Sequence, residues 1–64
     1  MITVVTKTGK VIRFKDADAY EINKDTVDII MFGSVLIGTF TLDGIEGVYD
    51  TQYGSWINKQ YERW

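Results

Sequence analysis

Two runs rich in β-branched residues flank Thr8-Gly9 near the start of the chain, and this pattern predicts a β-hairpin. A two-residue type I′ turn would force Thr8 to positive φ, which is costly for a β-branched residue. We therefore expect a three-residue loop over residues 7–9, with Gly9 in the left-handed region. This loop sets a register that places the apolar residues on one face. The predicted pairs are Ile2 with Phe14 and Val4 with Ile12, and the opposite face carries Thr3, Val5, Val11 and Arg13.

A second hairpin is predicted in the middle of the chain. Two apolar runs, 26–32 and 35–42, flank Gly33-Ser34, a glycine-first pair suited to a type II′ turn. The predicted pairs are Phe32 with Val35, Met31 with Leu36, Ile30 with Ile37, and Val27 with Phe40. One face then carries Val27, Ile29, Met31, Leu36, Phe40 and Leu42, with Gly38 leaving a gap opposite Ile29. The other face carries Ile30, Phe32, Val35 and Ile37 at the tip, with Asp28, Thr39 and Thr41 at the base.

The segments around this hairpin are shorter. Residues 16–19 are too polar for a core strand and predict a loop or a single helical turn, followed by a short strand at 20–22 and a tight turn at 23–25. Asp43 and Glu46 have the spacing of a capping box for a brief helical turn. The alternative is a last short strand through Ile45, Gly47 and Tyr49.

The end of the chain is aromatic. Five of the nine aromatic residues lie in the final sixteen, and Ser55 could cap a helix that stacks Trp56 on Gln60, or Ile57 on Tyr61 and Trp64. About ten residues are too few for a stable isolated helix, so this segment must dock on the rest. The expected fold is one mainly β domain over 1–64. Two antiparallel hairpins form a small sheet or an open SH3-like barrel over 1–50, and residues 51–64 add a short C-terminal helix or aromatic tail.

Composition supports the β assignment and excludes much chemistry. Isoleucine, valine and threonine number 8, 6 and 7, against 2 each of leucine and alanine. The absence of cysteine and histidine excludes zinc fingers, disulfides, thiol catalysis and imidazole-based triads. No apolar run approaches the roughly 20 residues that span a bilayer, and no signal-peptide pattern is present, so we expect a soluble, cytoplasmic protein without a membrane partner.

Charge is segregated along the sequence. Residues 1–15 hold four cations and no acid (+4), residues 16–50 hold eight acids and Lys24 (−7), and the tail adds +1, giving the net −2. These charges could neutralise one another inside the fold or between two copies, or leave an acidic face for a partner.

Aspartate and glutamate are the main side chains capable of acid–base chemistry in this sequence. Two groups of acidic residues could hold a hard cation, namely Asp16 and Asp18 with Glu21, and Asp25 with Asp28. The first group lacks the spacing of an EF-hand, because Tyr20 stands where an oxygen ligand belongs. A solvated turn is the favoured interpretation. Because so short a chain seldom builds both a core and a cleft, we expect no enzyme, catalytic residue, metal or cofactor.

Apolar surface is the main candidate for function. The predicted tip patch is either an interface or part of the core, and exposed contiguous apolar surface often marks an interaction site. The candidate interface residues are Ile30, Phe32, Val35, Ile37, Tyr53, Trp56, Tyr61 and Trp64. The expected function is stoichiometric binding to a partner protein or to further copies of the chain. The alternative is single-stranded nucleic-acid binding by the C-terminal aromatics and the basic first hairpin.

One resemblance covers about the first fifty residues. The Thr8-Gly9-Lys10 hairpin, Ala19-Tyr20-Glu21-Ile22, Ile37-Gly38-Thr39-Phe40 and the run from Leu42 to Tyr49 resemble small β-rich proteins of Gram-positive bacteria and their phages. Those with assigned roles include inhibitors that bind host proteins, among them anti-CRISPR and other anti-defence proteins. The resemblance implies protein binding and no catalytic residue.

Overall fold

The computed structural model describes residues 1–52 and 54–58, which form two antiparallel β-sheets. The four-stranded sheet has the order β2-β1-β6-β7 and the three-stranded sheet the order β3-β4-β5. The elements are β1 (Ile2–Thr6), β2 (Val11–Phe14), β3 (Ala19–Ile22), β4 (Thr26–Met31), β5 (Val35–Thr41), a 3-10 helix (Leu42–Gly44), β6 (Ile45–Asp50) and β7 (Gly54–Ile57). The mainly β prediction is confirmed, and the sheets do not close into a barrel within the described residues.

Both sheets contribute to one core. The buried apolar residues are Ile2, Val4, Ala17, Val27, Ile29, Ile45 and Val48, surrounded by the partly buried Phe14, Tyr20, Ile37, Phe40, Leu42 and Trp56. The rings of Phe14 and Phe40 meet edge to face, with centroids 6.0 Å apart. Gly38 makes room for this contact, because a Cβ atom there would lie 3.3 Å from Phe14 Cζ. The two sheets therefore pack face to face across a small shared interior.

The first hairpin forms as predicted. Ile2 pairs with Phe14 and Val4 with Ile12, and Gly9 has a φ of +89°. The Thr6 N–H donates to the Lys10 carbonyl at 2.8 Å and closes the loop. The register follows from burial, because a slip by one residue would turn the apolar set out of the core.

The middle hairpin differs from its predicted register at the tip. Val27 pairs with Phe40 as expected, but a β-bulge between Ile29 and Ile30 shifts the remaining pairs. The shifted pairs are Ile30 with Leu36 and Met31 with Val35. The predicted type II′ turn at Gly33-Ser34 is therefore wrong, and the loop spans residues 32–34. The bulge turns Ile37 towards the core and Leu36 outwards, so one extra residue on β5 exchanges their faces.

The segments around the middle hairpin show which of the alternatives predicted from the sequence are formed. Residues 16–18 form a loop around buried Ala17, and the short strand predicted at 20–22 is confirmed, with its start one residue earlier at Ala19. The capping box is wrong, because the 3-10 helix follows Thr41 without a side-chain cap and Glu46 lies within β6. The strand alternative for residues 45–50 is confirmed.

The described part of the C-terminal segment is a strand. Trp56 pairs with Val48, so β7 extends the four-stranded sheet beyond residue 50, and the predicted helix start at Ser55 is wrong. The physical reason is the hairpin loop before it, in which Gly54 has a φ of +94° and Asp50 Oδ1 accepts from the Gln52 N–H at 2.9 Å. The predictions for Tyr53, Gln60, Tyr61 and Trp64 lie outside the described residues.

Candidate functional site

An apolar surface lies at the turn of the β4–β5 hairpin, and we call it the hairpin apex. It comprises Ile30, Phe32, Val35 and Leu36. Phe32 is 76% exposed, Leu36 57% and Val35 45%, whereas Ile30 is half-buried. Three large apolar side chains thus stand in solvent within five consecutive residues, which is unusual for a small globular chain.

The backbone at Phe32 is strained. Its φ is +54° and that of Gly33 is +79°, while the Ser34 N–H donates to the Met31 carbonyl at 3.3 Å. Positive φ at both central positions is the geometry of a type I′ turn, for which Asn-Gly is the favoured pair. A bulky residue in the left-handed region is an outlier and costs about 1–2 kcal/mol. Because the ring remains exposed, burial within this chain does not offset that cost.

The apex lies in a long uncharged stretch. No residue from 29 to 42 is ionisable, and β5 is an edge strand of its sheet. The nearest acid along β4 is Asp28, whose carboxylate accepts from Asn23 Nδ2 at 2.9 Å and from Thr39 Oγ1 at 3.0 Å. This polar group at the hairpin base leaves the apex to interact by apolar contact and by the open backbone edge.

The structure places the predicted site residues in different surroundings. Phe32 and Val35 are exposed and Ile30 is half-buried opposite Leu36, but Ile37 packs against the core and is not part of the patch. Trp56 is half-buried and also packs against the core. Tyr53, Tyr61 and Trp64 lie outside the described residues. Sequence reasoning missed Leu36, because a strand with strict two-residue alternation places it on the core face.

A second surface is the outward side of the four-stranded sheet, which we call the sheet face. Thr3 pairs with both Arg13 and Tyr49, and Val5 pairs with both Val11 and Gly47. The strand pairs therefore align the members of the sheet face in two rows, which are Arg13-Thr3-Tyr49-Ser55 and Val11-Val5-Gly47-Ile57.

The segregated charges are not neutralised by contact. Within residues 1–52 and 54–58 no ion pair forms between an acidic and a basic side chain at 4.0 Å or less. By register, the sheet face carries Arg13 alone, while the outward side of the three-stranded sheet carries Glu21 opposite Asp28. The four-stranded sheet also contains Glu46 and the buried Asp50 on β6, so the contrast in charge concerns Arg13, Glu21 and Asp28 on the two outward sides.

One carboxylate lies in the interior. Asp50 is 6% exposed, and its Oδ2 atom has no hydrogen-bond partner in the described part of the chain. Tyr20 Oη donates to the Gly54 carbonyl at 3.3 Å. Burial raises the pKa of the Tyr20 phenol above its ordinary value of 10.0, and the charge on Asp50 raises it further. Because Asp50 Oδ1 also orders the β6–β7 loop, this group has a structural role at the end of the sheet.

The described residues contain no group of three or more acidic side chains placed to hold a metal ion. Nor is any helix in this part of the chain long and apolar enough to cross a membrane. No protein-family model, curated protein or solved structure matches the chain. The fold is that of a small two-sheet β protein, and its exposed surfaces are the candidates for its function.

Proposed function

We propose that this chain is a non-enzymatic protein-binding module that inserts the hairpin apex into an apolar pocket of a partner protein. The observation that carries the proposal is Phe32, a residue that is 76% exposed on a backbone with a φ of +54°. Residues in sparsely populated backbone regions cluster at binding and active sites, where contacts to a ligand use the strained geometry.

The chemistry of the apex selects the kind of partner. Aromatic side chains dominate the energetics of protein interfaces when they fill a desolvated pocket. Val35 and Leu36 follow the turn as exposed residues on opposite faces of β5, and the uncharged β5 edge offers backbone groups to an added strand. A partner pocket lined by apolar side chains fits this surface, whereas a highly charged pocket would lose solvation without gaining an ion pair.

The resemblance of the sequence to small phage proteins supports one form of this function. In that form the module acts in the cytoplasm as a stoichiometric inhibitor of a host protein. Association of two or more copies through the same apex is the other form. Both forms require the Phe32 ring.

The test uses the full chain as bait in a cell extract, with an internal control. Phe32→Asn and Val35→Asp change the apex, and Val11→Asp is the matched control, because Val11 and Val35 are each 45% exposed but lie on different sheets. The captured protein is then purified and mixed with each variant, and the mass of each complex is measured.

We expect a 1:1 complex with the wild type and Val11→Asp, weakened at least about tenfold by either apex substitution. For self-association, we expect a multiple of the chain mass that falls to the monomer in both apex variants. Equal capture and equal mass for all four proteins would contradict the proposal.

A further inference from the structure

The sheet face differs in character from the apex. Tyr49 is 37% exposed, Val11 and Ile57 are also exposed, and Arg13 is the charged residue of the face. Thr3 and Ser55 add hydroxyl groups along the same row as Tyr49. An aromatic ring, a guanidinium group and hydroxyl groups therefore share one outward row of this sheet.

Gly47 makes room for the phenol end of Tyr49. A Cβ atom at Gly47 would stand 3.0 Å from Tyr49 Oη and 3.1 Å from Tyr49 Cζ, so the ring end rests against the glycine backbone. Gly47 is buried although it faces outwards, because Tyr49 covers it. The phenol end of Tyr49 is thus held against the sheet, while the residue remains partly exposed.

The hairpin that carries Arg13 holds three further cations. Lys7, Lys10 and Lys15 lie at the ends of the β1–β2 hairpin that carries Arg13, and none of these cations forms an ion pair. Residues 1–15 therefore carry a charge of +4 without a direct ion pair. The nearest acids along the chain and across the loop are Asp16, after Lys15, and Asp43, before the Gly44 carbonyl that accepts from the Lys7 N–H.

Three of the eight acidic residues between 16 and 50 lie away from the sheet face. Glu21 and Asp28 are on the outward side of the other sheet, and Asp50 points into the interior. Packed sheets are separated by about 10 Å. Charges on the two outer sides are therefore at least one Debye length of about 8 Å apart at physiological ionic strength. Glu46, at the β6 bulge, is the acid nearest to the sheet face along its strands.

We propose that the sheet face binds single-stranded nucleic acid, with a base stacked on Tyr49 and the phosphate backbone held by Arg13 and the lysines of the first hairpin. Stacking on an exposed aromatic residue inside a basic surface is the general mode of single-strand recognition, because every base has a π-face. A duplex keeps its bases stacked on one another and offers Tyr49 nothing comparable. A symmetric pair of copies would bring two basic hairpins together, which like-charge repulsion opposes.

The binding test uses labelled oligo(dT) and oligo(U) of about twelve nucleotides with the full chain, at salt concentrations of about 20 and about 200 mM. For a single strand, the logarithm of the affinity falls with the logarithm of the salt concentration with a slope of about 0.7 per phosphate contact. Three phosphate contacts therefore predict a loss of affinity of about 100-fold over this range. We expect Arg13→Gln to reduce the slope by about 0.7. Lys24→Gln changes the net charge equally but lies in the β3–β4 turn, and we expect it to leave the slope unchanged.

The stacking contact is tested separately. We expect Tyr49→Leu to weaken binding about tenfold and Tyr49→Phe to retain it, because the phenylalanine ring stacks equally well. Thermal melting of each variant checks that it is folded. Phe32→Leu removes an exposed ring from the other sheet and should leave the affinity unchanged, which separates this proposal from the function of the apex.

Three results would overturn the proposal. The first is no binding of either oligonucleotide at the lower salt concentration. The second is binding that Arg13→Gln and Tyr49→Leu both leave unchanged in folded protein. The third is equal affinity for a duplex of the same length.

Discussion

The turn after β1 and the turn after β4 both place a residue at positive φ, but they use different residues. After β1 that residue is Gly9, at +89°, and after β4 it is Phe32, at +54°, followed by Gly33. Glycine adopts this backbone without a Cβ penalty, whereas a bulky aromatic residue does not. The first turn therefore serves folding. The second carries a residue that the fold alone does not favour, which is the reason for assigning a binding role to the apex.

Glycine is required at a further position in the sheet built on the first hairpin. We expect Gly47→Ala to lower the free energy of unfolding by about 3 kcal/mol, because overpacking beside rigid backbone is costly. The added methyl group would lie 2.9 Å from the Trp56 carbonyl oxygen. Urea unfolding measures the loss. A loss below about 1 kcal/mol would show that β7 and Tyr49 shift to accommodate the methyl group.

The first turn itself gives the next largest effect. We expect Gly9→Ala to destabilise the protein by about 1–2 kcal/mol through backbone strain alone. Apart from the two neighbouring residues, no heavy atom of residues 1–52 and 54–58 lies within 4 Å of a Cβ at Gly9, so we attribute the loss to strain rather than to steric contact. Gly9→Asn is the control, since asparagine tolerates positive φ better than alanine, and it should lose less stability. Equal losses in the two variants would contradict this account of the turn.

The smallest effect concerns Tyr20, which joins β3 to the β6–β7 hairpin. Because its folded pKa is raised above 10.0, the unfolded state loses the phenol proton first. The stabilisation that Tyr20 contributes is complete below the pKa of its phenol in the unfolded state. It is lost as the pH rises through the pKa of the phenol in the folded state. Urea unfolding at several pH values should show stability falling above about pH 10. Tyr20→Phe should make that fall shallower, and an unchanged fall would contradict the assignment.

Local patterns in the sequence were sufficient for the first hairpin and for the base of the second. The burial of Ile2 and Val4 admits one register, and Val27 opposite Phe40 follows from two-residue alternation. The fold class follows from the β-branched composition. These features depend on near neighbours and on which face is apolar.

The features that the sequence did not reveal depend on distant contacts. The bulge before Ile30 is favoured by burial of Ile37 against the core, and nothing in the local alternation marks it. The β7 strand forms because β6 offers an edge beside Val48, so pairing overrides the helical spacing of the tail aromatics. Of the predicted tip patch, Phe32 and Val35 are exposed, while Leu36 takes the outward position expected for Ile37.

We infer that Phe32 lowers the stability of the fold, because it occupies a turn position at positive φ. The most direct measurement compares urea unfolding of the wild type, Phe32→Asn and Phe32→Ala. Asparagine relieves the left-handed strain and completes an Asn-Gly turn, so we predict a gain of about 1 kcal/mol. Alanine removes the ring but keeps the strain, so it should change stability little. A loss of stability in Phe32→Asn, equal to that in Phe32→Ala, would show that the ring stabilises the fold and would contradict the claim.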